Sequence, residues 1–508
     1  MPNYLLAHDL GTSGNKATLF DTDGNHIKSC VAGYNVSYSN GNWAEQDPDE
    51  WWNAVCQSTR VITEGINLRD IAAVSFSGQM MGVVAIDKDG SALRNAIIWA
   101  DMRSVKQEKA LEREIGKEAV YRITGHRLSC SYSLEKLMWI RDMESGIYEK
   151  TFKSLCAKDY IITKLTGKYV TDASDASGTN AFNLNTFSWS ADILHAADIS
   201  MDKFPDVLKS TDIAGRVTAK AALECGLLEG TPVVTGGGDG VCASVGAGSI
   251  APGITYNCLG SSSWICTVSE KPLLDDQMRL FNWAHVVPGL IAPCGTMQAA
   301  GASFNWAVKE IFKAENIRGL HGNSSYDHIN TAIAKSRTGA NGLIFLPYLM
   351  GERAPRWNPN ARGCFIGLKM DTKNEDMLRA VVEGVAMNLK IILSLLTERI
   401  EINEMILMGG LARSRVIRSI LADVYGMNIC KLNLLEEGTS LGAAVTAGVG
   451  IGALNGFEDV NKFTQAETEE PYNRKNHQVY QKIQANFNEA YFSLLKVFDN
   501  LAAQQLAE

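Results

Sequence analysis

Two short stretches, "DLGTSGN" (residues 9–15) and "CLGSSSW" (258–264), constrain this chain more than any other feature. Each follows an apolar run and leads into another, so each reads as the turn of a strand–turn–strand hairpin. Glycine and small hydroxyl residues let backbone N–H groups converge on an anion, and the hydroxyls add further donors. One such turn is common and says little. Two of them, one in each half, together with a Gly-Gly strand-to-helix turn at Gly409 and Gly410, favour a polyphosphate held between two halves, where helix N-termini also suit the ligand.

The chain has 508 residues, more than a single core usually organises. The expected halves are residues 1–248 and 249–508. No low-complexity linker separates them, so they should pack against each other along a cleft. "YLLAHDLGTSGNKATLFDTDGNHI" (4–27) reads as three strands, with Asp23-Gly24 as the second hairpin turn. Asp47 is the expected N-cap of a helix with Pro48 at its first position and Glu50 closing a capping box. Residues 71–87 read as two strands around a turn. In the second half, helices are expected over 301–315 and 375–397. A strand and helix follow over 404–426, the helix capped by Ser414 and ended by Gly426. A last helical pattern covers about 475–500.

Composition narrows the function classes. Hydrophobic residues make up 46% and charged residues 20%, with a formal net charge of -8. This suits a soluble globular protein and argues against a nucleic-acid partner. Eleven scattered cysteines with no CxxC pair read as reduced small hydrophobes, neither a disulfide framework nor a zinc ribbon. The N-terminus lacks the pattern of a signal peptide, and no run reaches the ~18 apolar residues that span a bilayer. A cytoplasmic protein with no membrane partner is expected, and the reading admits a homodimer. No GxxxxGK[ST] occurs, which excludes a P-loop. "GAGSIAPG" (246–253) does not open a helix inside a βαβ unit, so a dinucleotide fold is not expected.

"TPVVTGGGDGV" (231–241) places one acid, Asp239, after three glycines. Ordered glycine is entropically costly, so a bare backbone must be needed here. An acid on such a turn either approaches a substrate hydroxyl unobstructed or is a solvated turn residue. Asp9, at the end of an apolar strand, is a hard oxygen ligand that suits Mg²⁺ through waters, or else a turn cap. His8, inside the same strand, reads as a satisfied core histidine. "GERAPRWNPNARG" (351–363) carries three arginines and is either a phosphate neutraliser or a surface loop. "ARSRVIRS" (412–419) reads as a solvated helix face.

These motifs, with "EQDPDEWW", "SGQMMG", "IIWADMRS", "KDYIITKLTG", "SDASGT", "FLPYLMGERAPRWNPNARG" and "MGGLARS" between and beyond them, resemble the FGGY carbohydrate kinases, most closely the xylulokinase branch. The resemblance runs over nearly the whole chain. It implies an α/β protein of two actin-like (ribonuclease H-like) ATPase domains, with ATP in the cleft and the sugar deeper, against the first domain. On this resemblance Asp239 is the catalytic base and Asp9 positions Mg²⁺ or phosphate. Gly11, Thr12 and Ser13 face the γ-phosphate, with Gly260 and Ser261 across the cleft and Gly301 near the nucleotide. Gly409 and Gly410 form the adenosine turn, with Arg413 flanking the base. Gln79, Met80, Met81, Trp99 and Asp101 join Asp239 around the sugar, Trp99 as an apolar wall and Asp101 as a hydroxyl acceptor.

The chain departs from the xylulokinase pattern twice. Met81 stands where a histidine usually follows Gly-Gln-Met, and Gly240 where Asn or Gln usually follows the catalytic acid. The expected reaction is ATP-dependent phosphorylation of a small-molecule sugar hydroxyl, D-xylulose to D-xylulose 5-phosphate. Gluconate or another ketose or polyol is the alternative acceptor. A non-catalytic actin-like ATP-binding protein is the remote alternative.

Overall fold

Backbone hydrogen bonding sorts most strands into two large sheets, and the two repeat each other. The structure, a computed structural model, describes residues 3–312 and 323–505. In the first sheet the strands are β1 (Tyr4–Leu10), β2 (Gly14–Asp21), β3 (His26–Gly33), β4 (Ile71–Gly78), β5 (Ile213–Arg216), β6 (Pro232–Val234) and β7 (Gly237–Gly238). Their order is β5-β6-β4-β1-β2-β3, with β7 also paired to β4. The second sheet holds β8 (Ile254–Leu259), β9 (Ser263–Thr267), β10 (Phe281–Ala284), β11 (Ile291–Met297), β12 (Glu404–Met408), β13 (Ile429–Leu432) and β14 (Ala466–Glu470). Its order is β10-β11-β9-β8-β12-β13-β14.

The correspondence is strand by strand. β1 and β2 form an antiparallel hairpin and so do β8 and β9. β1 then pairs parallel with β4, as β8 does with β12. The two Gly-Ser turns occupy equivalent corners of a duplicated frame. Register brings the functional strand ends level: Asp9 lies beside Ser77, and Gly237 beside Ser77 as well. Ligands of open parallel sheets gather at such carboxyl-terminal strand ends.

The helices that position the site are α1 (Pro48–Thr63), α2 (Ala157–Thr166), α3 (Asp239–Gly246), α4 (Asn374–Thr397), α5 (Arg415–Tyr425), α6 (Gly438–Gly450) and α7 (Arg474–Gln505). Asp47 caps α1 by accepting from the Asp49 amide, with Pro48 first as expected. The capping box does not close, because Glu50 accepts instead from the Asn35 amide at 3.2 Å. Ser414 caps α5 and Gly426 ends it in a left-handed conformation. The helix expected over 301–315 forms as Gly301–Trp306 and continues as a wider turn over Ala307–Ile311; residues 313–315 lie outside the described residues. The 412–419 stretch is not simply a solvated face. Arg418 is buried and donates to the Ala412 and Arg413 carbonyls at 2.8 and 3.1 Å.

α4 is long and apolar enough to cross a membrane, with mean hydropathy 1.6, yet 78% of that stretch is buried inside the protein. It is the core helix of the second half, its Leu378, Val381 and Leu389 fully buried. All eleven cysteines are free. The halves share a third apolar cluster, in which Leu5, Ala7 and Phe20 of the first meet Tyr256, Ile406 and Leu441 of the second. α6 belongs by sequence to the second half but packs on β1, β4 and α3. Backbone meets backbone where it crosses α3. A Cβ at Gly442 would lie 1.9 Å from the Cys242 carbonyl oxygen, and one at Gly246 would lie 2.0 Å from that of Gly438.

Candidate active site

Asp239, expected on a glycine turn, stands just after that turn as the first residue of α3. Each of the three preceding glycines lies where an added Cβ would be crowded, Gly236 by backbone and the other two by side chains. Gly236 has φ +70°, and a Cβ there would lie 2.0 Å from the Phe76 carbonyl oxygen. At Gly237 it would meet Val286 at 2.4 Å, and at Gly238 the Met80 sulfur at 2.4 Å. The bare backbone lets the turn pass flat against β4 and deliver the acid at the carboxyl-terminal end of that strand. A helix N-terminus favours a carboxylate, and Asp239 Oδ1 accepts from the Gly240 amide at 2.7 Å. Burial and the charge of Asp9 outweigh this and push Asp239 up to about 7.

Asp9 is held from both halves. Its Oδ1 accepts from Ser77 at 3.0 Å and its Oδ2 from Thr439, at the start of α6, at 2.7 Å. Burial raises its pKa, offset in part by these two hydroxyls and by Lys16. Lys16 itself bridges to Glu437 at 3.0 Å. Burial and then the charge of Asp239 push the Cys258 thiol up to about 12. Asp239 therefore lies within electrostatic reach of both hairpin strands, β1 and β8.

The hairpins are pinned while their tips stay open. In the first, the Gly11 amide donates to Gly14 O at 3.0 Å and Tyr34 Oη to Gly11 O at 2.5 Å. Trp99 Nε1 donates to Thr12 Oγ1 at 3.0 Å, which places the indole beside the first turn, and Ser13 is exposed. In the second, Ser261 is exposed while its carbonyl accepts from the Ala300 and Ala302 amides, both at 3.0 Å. Gly301 packs directly on this turn, since a Cβ there would lie 2.4 Å from Gly260 O. Gly409, at φ +86°, approaches Leu259 O just as closely, at 2.6 Å for an added Cβ. Gly410 opens a short 3-10 turn to Arg413, whose guanidinium pairs with Glu436. Arg413 lines a cavity of ≈ 330 Å³ with Lys431, Asn433, Leu435, Glu436 and Glu437. Glu437 and Thr439 connect this cavity to Lys16 and Asp9.

On the other side of Asp239, Gln79 Nε2 donates to Gln46 Oε1 at 2.8 Å, and Gln79 Oε1 is buried with no partner among the described residues. Met80 and Met81 form an apolar cluster with Tyr132 and Trp283. Met81 has φ +67°, and its carbonyl accepts from the buried Lys136 ammonium at 2.8 Å. A Cβ at Gly240 would meet nothing within 4 Å, so the side chain missing from the usual pattern leaves open space beside the acid. Asp101 must be corrected. It is fully buried, and its carboxylate takes the Ala44 amide at 2.6 Å and a bidentate Arg103 guanidinium at 2.7 and 2.9 Å. It braces the Trp99 loop and has no free face for a sugar hydroxyl.

His8 is the core histidine expected, between Asn15 at 3.0 Å and Thr59 at 3.2 Å, with burial lowering its pKa to about 3. In the 351–363 loop, Arg356 reaches Asn488 and Arg362 the Pro359 and Ala361 carbonyls, whereas Arg353 stacks over Phe281 at 5.4 Å. Sequence reasoning missed Thr439, Ser77 and the buried Glu352, whose carboxyl burial pushes up to about 8. Thr439 carried a faint signal as a hydroxyl opening a Gly-Ala-rich helix, but its partner lies far away in the sequence.

A duplicated frame with one polar hairpin in each half is that of the actin-like, ribonuclease H-like ATPases. Residues 4–246 match the N-terminal domain of the FGGY family of carbohydrate kinases and residues 255–451 its C-terminal domain. The chain belongs to this family and is an ATP-dependent sugar kinase. It is 30% identical over 460 residues to a xylulose kinase of Staphylococcus xylosus, covering 90% of this chain and 93% of that one. It is 33% identical over 468 residues to a gluconokinase of Bacillus subtilis strain 168, covering 91% and 90%. The crystal structure of a ligand-bound xylulose kinase from Lactobacillus acidophilus matches with TM-score 0.91 at 27% identity, over 98% of this chain and 99% of that one.

Proposed function

We propose that the protein transfers the γ-phosphate of ATP to D-xylulose, giving D-xylulose 5-phosphate, with Asp239 as general base. The observation that carries this is the acid itself, bared by three glycines and raised to about 7 beside Asp9. A base is most effective when its pKa lies near the working pH. Asp239 takes the proton of the acceptor hydroxyl as that oxygen bonds to the γ-phosphorus. The bond from phosphorus to the β–γ bridging oxygen breaks, and ADP leaves. Phosphoryl transfer needs positioning and charge stabilisation above all. The tips at Gly11, Thr12 and Ser13 and at Gly260 and Ser261 would supply amide and hydroxyl donors from the two sides. Gly301 packs against the second tip, and Gly409, Gly410 and Arg413 would hold the adenosine end over the 330 Å³ cavity.

Asp9 fits a role in holding Mg²⁺, because each of its oxygens accepts one hydroxyl and a carboxylate offers about four acceptor positions. The ion would neutralise phosphate charge. Gln79, Met80, Met81 and Trp99 would line the sugar site. The boundary between the working halves would fall at residues 248 and 249, in the stretch that separates β7 from β8.

A second acceptor class, the aldonates, has an observation in its favour. Arg353 lies over the Phe281 ring at 5.4 Å, Phe281 packs on Trp283 at 6.4 Å, and Trp283 packs on the Met80–Met81–Tyr132 cluster, so a cation stands two rings from the proposed sugar side. ATP consumption measured over D-xylulose, other ketoses, polyols and gluconate decides between them. Gluconate turned over at higher kcat/KM than D-xylulose would replace the first reading by the second. Activity on none of the acceptors would end both.

A further inference from the structure

We infer that Ser174 and Ser210, fixed by a buried Lys158–Asp172 ion pair, are positioning residues that hold the glycine turn under Asp239. Lys158, on α2, is fully buried, and its ammonium meets three buried carboxylates: Asp159 at 2.6 Å, Asp172 at 2.9 Å and Asp175 at 3.2 Å. Asp172 is the hub. Its Oδ2 accepts from the Ser174 hydroxyl at 2.5 Å and the Ser210 hydroxyl at 2.8 Å. Ser174 Oγ in turn accepts from the Gly238 amide at 2.9 Å. The Ser210 carbonyl accepts from the Gly236 amide at 2.9 Å. Both ends of the triple-glycine turn are thus tied to residues whose placement Asp172 dictates, and Asp239 is the next residue along. Lys158 also backs β4, since a Cβ on Gly78 would lie 3.1 Å from its Cβ. Gly78 follows Ser77, the residue that donates to Asp9.

A turn of three glycines has no side chains of its own to hold it. Its freedom must be removed from outside, and hydrogen bonds to two of its amides do so. Stability alone is a weak reason for such a cluster, because buried ion pairs replaced by well-packed apolar residues often leave stability unchanged or improved. Precise placement of a base is a stronger reason, since a shift of about 1 Å can cost about 10²-fold in rate.

The inference rests on Asp239 being the base, and the test keeps the two apart. In Ser174→Ala, kcat should fall about tenfold or more, while KM for sugar and ATP stays near its original value. Ser174→Thr, which keeps the hydroxyl, should restore most of the rate. Hydrogen exchange by mass spectrometry should show faster exchange in the peptide spanning 235–240 of Ser174→Ala. Unchanged kcat and unchanged exchange would overturn the anchor, provided Asp239→Asn is inactive. If Asp239→Asn keeps its turnover, the base itself is wrong. If Ser174→Ala does not fold, Ser210→Ala carries the test, since it removes one hydroxyl and leaves the carbonyl to Gly236. A lower kcat with unchanged KM supports the anchor, and kcat as in the parent protein overturns it.

Discussion

Asp239 and Asp101 show how differently two acids of one site can behave. Asp239 has a helix N-terminus to favour its charge, yet burial and Asp9 keep its pKa near 7. Asp101 is fully buried, whereas Asp239 keeps partial exposure; Asp101 is matched by Arg103 two residues on, and it becomes a brace. The pattern Asp-x-Arg was readable in the sequence, but a pairing of side chains two apart depends on the local bend of the chain. Replacing Asp239 by Asn should lower kcat by ~10² or more and leave sugar and nucleotide binding nearly intact, measured by calorimetry beside turnover. Because the raised pKa keeps the acid protonated below neutrality, kcat of the parent enzyme should rise with pH through a limb near 7. A rate flat from pH 5 to 8 would contradict the assignment.

At the scale of the element, the turns were legible and the tertiary anchors were not. Gly-Ser and Gly-Gly punctuation marked the ends of β1, β8 and β12 correctly, because a turn is a local event. The start of α3 reads in the sequence as a turn because three glycines precede it and Gly240 follows, and glycine depresses helix propensity; packing against α6 overrides that. Gly236→Ala should destabilise the fold by about 2 kcal/mol or more, from a left-handed backbone that disfavours a Cβ and from the contact with Phe76 O. Denaturant titration would show this, and an unchanged midpoint would mean that the turn can relax. Met81 offers the opposite case. It already holds φ +67°, a conformation in which His is enriched among non-glycine residues. Met81→His should therefore keep the turn and raise kcat/KM on D-xylulose relative to other ketoses by a few-fold, the worth of one net hydrogen bond of about 0.5–1.5 kcal/mol. An equal change on every sugar would remove Met81 from the contact surface.

For the molecule as a whole, the two hairpins were the sequence's best guide, since each announces half of a repeated frame. What the sequence could not show was that α6 leaves its own half to dock on the other. The Thr439–Asp9 bond follows from that crossing, over a separation of 430 residues. Donors from both halves must reach one γ-phosphate, so the halves should close around bound ligands and exclude water as a competing acceptor. Small-angle scattering with saturating sugar and a non-hydrolysable nucleotide should give a smaller radius of gyration than the free protein. Identical curves would count against closure.

The repeat is faithful in its strands and broken in its charge. Where the first hairpin strand carries Asp9 one residue before its end, the second carries Cys258 in the same place, and its thiol stays neutral. Asp9 and Asp239 therefore both stand on the first lobe, with no acid at the matching position of the second hairpin. This gives the pair of hairpins a polarity: the first would act as a cathode for protons and cation, whereas the turn of the second carries no acid. Cys258→Asp would make the frame symmetric in charge. A third carboxylate within reach of Asp239 should raise its pKa further and move the limb of the rate profile above 7. A limb that stays in place would show that the two lobes are electrostatically insulated from each other.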